Sequence, residues 1–130
     1  MNDYVTDTHA LYWYLKAAPQ LSARARTVFL AGEQGQARIH IPSIVLAELY
    51  YLNVKYNRPL DFAQEYQRLA TAGQFRFIDF RAADVVRFDV LAAIPEMHDR
   101  IIAGVAYAMN VPVLTRDPAI VDSKLVQTMW

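Results

Sequence analysis

Short extended apolar runs alternate along this sequence with longer segments in which apolar residues recur every three or four positions. The extended runs predict strands at 4–7, 38–41, 75–80, 111–115 and 124–129, the last as an edge strand. Helical spacing between proline and glycine breaks predicts helices at 8–15, 22–32, 44–56, 61–72, 82–93 and 99–109. Strands separated by helices are typical of α/β domains. We therefore expect a single domain over 1–130, a three-layer α/β sandwich whose mostly parallel central sheet is flanked by helices.

The composition narrows the class of protein. The chain has 130 residues, 55% of them hydrophobic, and no cysteine, which excludes a disordered chain, a disulfide scaffold and a cysteine-ligated metal site. The longest apolar run, 101–109, is about half the ~20 residues that a transmembrane helix needs, and the N-terminus lacks the basic region of a signal peptide. We therefore expect a cytoplasmic protein without a membrane partner.

Four acidic residues fall near the predicted ends of strands. Asp7 follows the first strand, and Asp117 follows the apolar run at 111–115. Glu48 lies in the second turn of the helix after the 38–41 strand, and Asp99 opens the helix that leads into the 111–115 strand. In parallel α/β sheets, ligands bind beyond the carboxyl ends of the strands. The first three acids are expected at that edge, whereas spacing alone does not decide the position of Asp99.

Clustered carboxylates raise one another's pKa unless a cation compensates them. A cluster without histidine or cysteine ligands suits a hard, oxygen-preferring ion such as Mg²⁺ or Mn²⁺, which supports phosphoryl transfer by activating water and stabilising charge on phosphate oxygens. For any one of these acids alone, a solvated charge or a helix cap is the simpler explanation. Asp99 in particular suits a helix N-terminus.

The segments around the acids resemble the PIN-domain nucleases, and most closely the VapC-type toxins of bacterial and archaeal toxin–antitoxin pairs. The resemblance covers essentially the whole chain, through the segments VTDTHAL at 5–11, SIVLAEL at 43–49, HDRIIAGVA at 98–106 and VLTRD at 113–117, and the ending at 126–130. One departure is that many relatives carry Asp-Pro-Phe-Asp before the third acidic helix, whereas this chain has Glu-Met-His-Asp at 96–99.

The resemblance implies a PIN-like fold and a metal-dependent endoribonuclease toxin that hydrolyses phosphodiester bonds in structured RNA (tRNA, rRNA or mRNA). Its catalytic and metal-binding residues would be Asp7, Glu48, Asp99 and Asp117, with Mg²⁺ or Mn²⁺ as the cofactor. The first three would hold the principal ion, and Asp117 would complete the pocket or help with a second ion. Thr115 and Ser43 would lie beside the metal site and position the ligands without binding the ion themselves, although an N-cap role explains Ser43 equally well.

Two arginines and two histidines lie within two residues of the proposed ligands. Arg100 and Arg116 are expected either to bind substrate phosphate or to neutralise the carboxylates through ion pairs. A capping or packing role is favoured for His9, and contact with substrate is an open alternative for His98. For Glu96, two roles stay open: a minor part in binding the metal, or a position at the start of the helix.

The aromatic residues point to partners. Consecutive rings at 12–14 cannot all be buried by one helix, and such a surplus is typical of protein interfaces, with stacking on RNA bases as the alternative. The resemblance implies a homodimer and a cognate antitoxin protein. Two other functions stay open: a PIN nuclease that processes RNA or DNA without an antitoxin, and a non-catalytic PIN-like binding module.

The balance of 13 basic and 13 acidic residues excludes nucleic-acid binding by bulk positive charge alone. It does not exclude a nuclease, because cations bound at the acidic cluster would offset four of the negative charges. The remaining surface is then more basic than the net charge suggests.

Overall fold

The computed structural model describes residues 2–130. Its strands are β1 (Asn2–Thr6), β2 (Ala37–Pro42), β3 (Phe75–Ile78), β4 (Val113–Leu114) and β5 (Thr128–Met129). They form one sheet in the order β3-β2-β1-β4-β5, in which every neighbouring pair is parallel. The predicted α/β sandwich with a parallel central sheet is confirmed, and β1 is its central strand.

Helices connect the strands. They are α1 (Thr8–Leu15), α2 (Ala23–Glu33), α3 (Ser43–Lys55), α4 (Phe62–Thr71), α5 (Met97–Met109) and α6 (Pro118–Val121). Polar side chains begin five of them by accepting a hydrogen bond from a backbone N–H of the first turn: Asp7 from Ala10, Ser22 from Ala25, Asp61 from Gln64, Glu96 from Asp99, and Asp117 from Ala119. None of the helices within residues 2–130 is both long and apolar enough to span a bilayer.

The core surrounds the central strand. Tyr4 of β1 lies opposite Ile39 of β2, and Val5 lies opposite Val113 of β4. Val5, Ile39 and Val113 are fully buried, as expected for strands covered on both faces. The end of β1, and the residue that follows it, are therefore held on a rigid support.

The helix predicted at 82–93 is wrong as an α-helix. The segment forms a 3₁₀ helix at Ala82–Phe88 and then turns. At its start, the backbone N–H and the guanidinium of Arg81 both donate to the Asp84 carboxylate, and Leu91 and Ile94 further along are fully buried. The β-branched Val85 and Val86 are poor helix formers and are exposed, so neither propensity nor packing extends the helix.

Two boundary predictions also need correction. Pro42, not Ser43, occupies the N-cap of α3, and the Ser43 hydroxyl accepts a hydrogen bond from the backbone N–H of Phe80 at 3.2 Å. The edge strand predicted at 124–129 is reduced to β5, because Lys124 has a left-handed backbone (φ 57°) and the Ser123 hydroxyl closes a turn on Leu125. Its place at the edge of the sheet is confirmed.

Asn53 fixes the loop that follows α3. It is 1% exposed, and its amide makes two 2.9 Å hydrogen bonds with the backbone N–H and C=O of Leu60. Asn53→Leu leaves both backbone groups unpaired, so we expect the free energy of unfolding to fall by about 1–3 kcal/mol in urea denaturation. Gln67→Leu, on the exposed face of α4, is the matched control and should change it by less than about 0.5 kcal/mol. Equal effects would contradict this role.

Candidate active site

Four carboxylates from separate parts of the chain line one cleft of about 640 Å³, here called the acid cleft: those of Asp7, Glu48, Asp99 and Asp117. Asp7 and Asp117 follow the neighbouring strands β1 and β4, and the Asp7 backbone N–H donates to the Leu114 carbonyl at 3.2 Å. Glu48 comes from α3, which begins directly after β2, the other neighbour of β1. Asp99 lies in the first turn of α5, which begins at the same edge.

Asp7 is the buried member of the group. Asp7 is 9% exposed, and its carboxylate caps α1 by accepting a hydrogen bond from the Ala10 N–H at 2.8 Å. Burial raises the pKa of Asp7, hydrogen bonds from the Thr115 hydroxyl and the Ala10 amide oppose this, and the nearby charge of Asp117 adds to the rise. A cation in the cleft would relieve this penalty.

Asp99 shows the crowding of charge most directly. Desolvation raises its pKa from 3.8 to about 6, with further contributions from the charges of Asp117, Glu96, Glu48 and Asp7. At neutral pH the group is therefore ionised against the repulsion of its neighbours. Its backbone N–H donates to the Glu96 carboxylate at 3.0 Å, so Glu96 serves as the N-cap of α5.

Glu48 has both of its carboxylate oxygens engaged. The Thr8 hydroxyl donates to Oε1 at 2.7 Å, and Nδ1 of His98 lies 3.2 Å from Oε2. The sequence predicted neither partner of Glu48. The only signal in the sequence is that Thr8 is the neighbour of Asp7 and His98 is the neighbour of Asp99. Each of these two residues therefore lies beside one acid of the cleft along the chain and contacts another, Glu48, in the fold.

Asp117 is held by its own turn. Its Oδ1 accepts from the Ala119 N–H at 2.9 Å and caps α6, while its backbone N–H donates to the Thr115 hydroxyl at 3.0 Å. Thr115 is fully buried. Its hydroxyl thus accepts from the backbone N–H of Asp117 and also helps to lower the pKa of Asp7. Ser43, by contrast, bonds to Phe80 and does not line the acid cleft.

The donor set fits a hard divalent cation. All four acids offer oxygen, the ligand that Mg²⁺ and Mn²⁺ prefer. Desolvation and the neighbouring acids raise the pKa of Asp99, so a bound cation would relieve an existing electrostatic cost. Within residues 2–130, no three Asp, Glu or His side chains already stand in ligating positions. Binding would therefore draw these side chains closer together, and each Glu48 oxygen keeps a lone pair for the ion beside its hydrogen bond to Thr8 or His98.

The two arginines predicted to bind substrate lie outside the acid cleft. Arg100 donates to the backbone carbonyls of Ile94 and Ala92 and lines a different cavity. Successive helix positions point about 100° apart, so a neighbour of Asp99 on α5 need not share its cleft. The guanidinium of Arg116 lies over the ring of Trp13, 4.6 Å from its centroid, and lines a cavity that adjoins the cleft.

An all-parallel α/β sheet with four carboxylates meeting at the ends of its strands defines the class: an α/β domain with an acidic cleft suited to divalent cations. A family model for the PIN domain matches residues 4–123. The chain therefore belongs to the PIN domain family. No curated protein sequence matches it.

Solved structures share the fold over nearly the full length of both chains. VapBC2 from Rickettsia felis, bound to a promoter DNA fragment, matches with 23% identity and a TM-score of 0.67, covering 98% of this chain and 97% of that one. DNA-bound VapBC from Salmonella typhimurium matches with 17% identity and a TM-score of 0.69 over 99% and 98%. FitAcB from Neisseria gonorrhoeae matches with 17% identity and 0.67 over 98% and 96%.

Proposed function

We propose that this chain is a metal-dependent endoribonuclease toxin of the VapC type, which hydrolyses phosphodiester bonds in structured RNA. The observation that carries the proposal is the convergence of Asp7, Glu48, Asp99 and Asp117 on one cleft. Membership of the PIN family and the likeness of the fold to chains of VapBC and FitAB complexes support it.

The four acids have different tasks in this proposal. Asp7, held on the central strand, and Asp99, with the raised pKa, would be the principal ligands of Mg²⁺ or Mn²⁺. Glu48 would join them while Thr8 and His98 orient its carboxylate, and Asp117 would complete the pocket. Thr115 would position both Asp7 and Asp117 through its hydroxyl. A divalent ion bound there supplies positive charge that promotes attack by water and stabilises charge on the phosphate oxygens.

The proposed partners are an antitoxin protein, a second copy of this chain and the RNA. The structural neighbours named VapBC and FitAB support the antitoxin. Exposed aromatic residues on α3 and just beyond it, Tyr51 (72%) and Tyr56 (52%), offer contact surface next to the cleft. The reaction is proposed to take place in the cytoplasm, where the RNA is.

Removal of the metal tests the activity. The purified chain should cleave end-labelled structured RNA with Mg²⁺ or Mn²⁺, lose this activity in EDTA, and regain it when excess Mn²⁺ is added. Without that ion, the four carboxylates of the cleft would repel the negatively charged phosphate of the substrate. Cleavage is followed on denaturing gels. Cleavage that persists in EDTA, or no cleavage of tRNA, rRNA or mRNA with either ion, would contradict the proposal.

A further inference from the structure

A second cavity of about 640 Å³ adjoins the acid cleft, and His9 lines both. We call it the stacking groove and define it by aromatic and basic side chains: His9, Tyr12, Trp13, Lys16, Tyr56 and Arg116. Lys55, the neighbour of Tyr56, lines the acid cleft and places its Nζ 5.6 Å from the Tyr56 ring centroid. The groove and the cleft are therefore continuous at two points.

The cations of the groove are held by rings rather than by carboxylates. The Arg116 guanidinium lies 4.6 Å from the Trp13 ring centroid and 5.8 Å from that of Trp130, and Lys16 Nζ lies 5.2 Å from the Tyr12 centroid. Among residues 2–130, neither Arg116 nor Lys16 forms an ion pair. Stacking engages the face of a guanidinium and leaves its N–H edge available for phosphate oxygens.

The rings of the groove also offer surface for stacking. Tyr56 packs against the buried Tyr12, with ring centroids 6.1 Å apart, and remains 52% exposed. His9 is exposed and packs against Trp13, with centroids 5.3 Å apart. Exposed rings beside unpaired cations are the two components with which proteins bind single-stranded nucleic acid.

We propose that the stacking groove binds an unpaired nucleotide next to the scissile phosphodiester, with its base against Tyr56 or His9 and its phosphate against Arg116 or Lys16. This rests on the proposed function, since the groove has meaning as a subsite only beside a cleavage site. The acid cleft repels the phosphates that flank the scissile bond, and the groove supplies positive charge where the strand leaves the cleft. A base inside a duplex cannot stack on these rings, so the nucleotide that occupies the groove must be unpaired.

A protein partner would also suit aromatic surface, but the observations favour RNA. Arg116 and Lys16 lack carboxylate partners within the described residues, and the groove opens directly into the cleft where phosphate chemistry is proposed. A docking surface for protein needs no such continuity.

The intrinsic fluorescence of the chain provides the test. The chain has two tryptophans, Trp13 and Trp130, and both contact Arg116. Single-stranded RNA of about eight nucleotides is added in EDTA, so that binding is measured without cleavage. We expect saturable quenching of tryptophan emission. An abasic oligonucleotide of the same length should bind about five- to a hundredfold more weakly, because it lacks the stacking contribution.

Three surface variants make the test specific. Arg116→Gln and Lys16→Gln should each weaken RNA binding severalfold, whereas Arg76→Gln, with the same change of charge in a separate cavity, should leave it nearly unchanged. RNA binding by anisotropy without quenching, or equal loss in all three variants, would overturn the groove and leave the proposed nuclease intact. Emission that depends on protein concentration alone would overturn it in favour of an interface between copies. Quenching as expected, together with no metal-dependent cleavage, would reject the nuclease and with it the role of the groove as its subsite, and would leave only a site that binds single-stranded RNA.

Discussion

Asp7→Asn is expected to lower metal-dependent RNA cleavage by at least about a hundredfold, because even residues outside the ligand shell of a metal typically change affinity or activity by 10- to 100-fold. Asp7 directly follows the central strand β1 and is buried. The substitution removes one negative charge while an amide oxygen can still cap α1 by accepting from Ala10. The variant should therefore fold normally and fail in chemistry.

The measurement is the initial rate of RNA cleavage in Mn²⁺, with circular dichroism to confirm the fold. Asp89→Asn is the matched control, since it makes the same change at an exposed aspartate outside the cleft. It should cleave at the parental rate. Parental activity in Asp7→Asn, or equal losses in both variants, would contradict a metal-ligand role for Asp7.

Asp99→Asn is expected to move stability and activity in opposite directions. Without metal, ionised Asp99 bears the cost of desolvation and the repulsion of the neighbouring acids, which together raise its pKa to about 6. Removing the charge should raise the free energy of unfolding at pH 7.5 by about 1–2 kcal/mol, after allowance for solvent screening. Cleavage should nevertheless fall by at least about a hundredfold, since a ligand of the ion is lost. A residue that merely supports the fold would not give both results.

The pH dependence of stability provides a second measure of the same group. The folded pKa of Asp99 is about 6 and its ordinary value is 3.8, so the folded state binds more protons in this interval. The stability of the metal-free parent should fall as pH rises from about 4 to 6, and Asp99→Asn should show a smaller fall. Mn²⁺ should raise the melting temperature of the parent at neutral pH and much less that of the variant. An identical pH profile in the two proteins would contradict the crowding of charge at Asp99.

Much of the fold follows from local pattern. The extended runs near Val5 and Ile39 predict buried strands because both faces of a parallel sheet are covered, and Ser22 predicts its helix start through its hydroxyl. The segment 82–93 was mispredicted because its helical spacing competes with β-branched residues and with the hydrogen bonds of Asp84, and only the tertiary structure decides between them.

The acids of the candidate site could be predicted, but most of their surroundings could not. Asp7 and Asp117 could be predicted because each follows a strand, and the carboxyl ends of neighbouring parallel strands lie at the same edge of the sheet. The contact of His98 with Glu48 joins two helices, and the contact of Arg116 with Trp13 joins distant segments. No pattern in the sequence predicts either of these two contacts. Their roles in catalysis stay predictions.

The pairing of β1 with β4 has a consequence for the order of folding. These strands come from opposite ends of the chain, and β4 and β5 are two residues each. Closing so long a loop is slow, and short edge pairs open readily. Asp117 thus comes close to Asp7 only when β4 pairs with β1. An ion bound by both residues would then stabilise this pairing. Hydrogen exchange at Leu114 and Thr115 would then slow on metal binding, so that the ion completes the folding of the site it occupies.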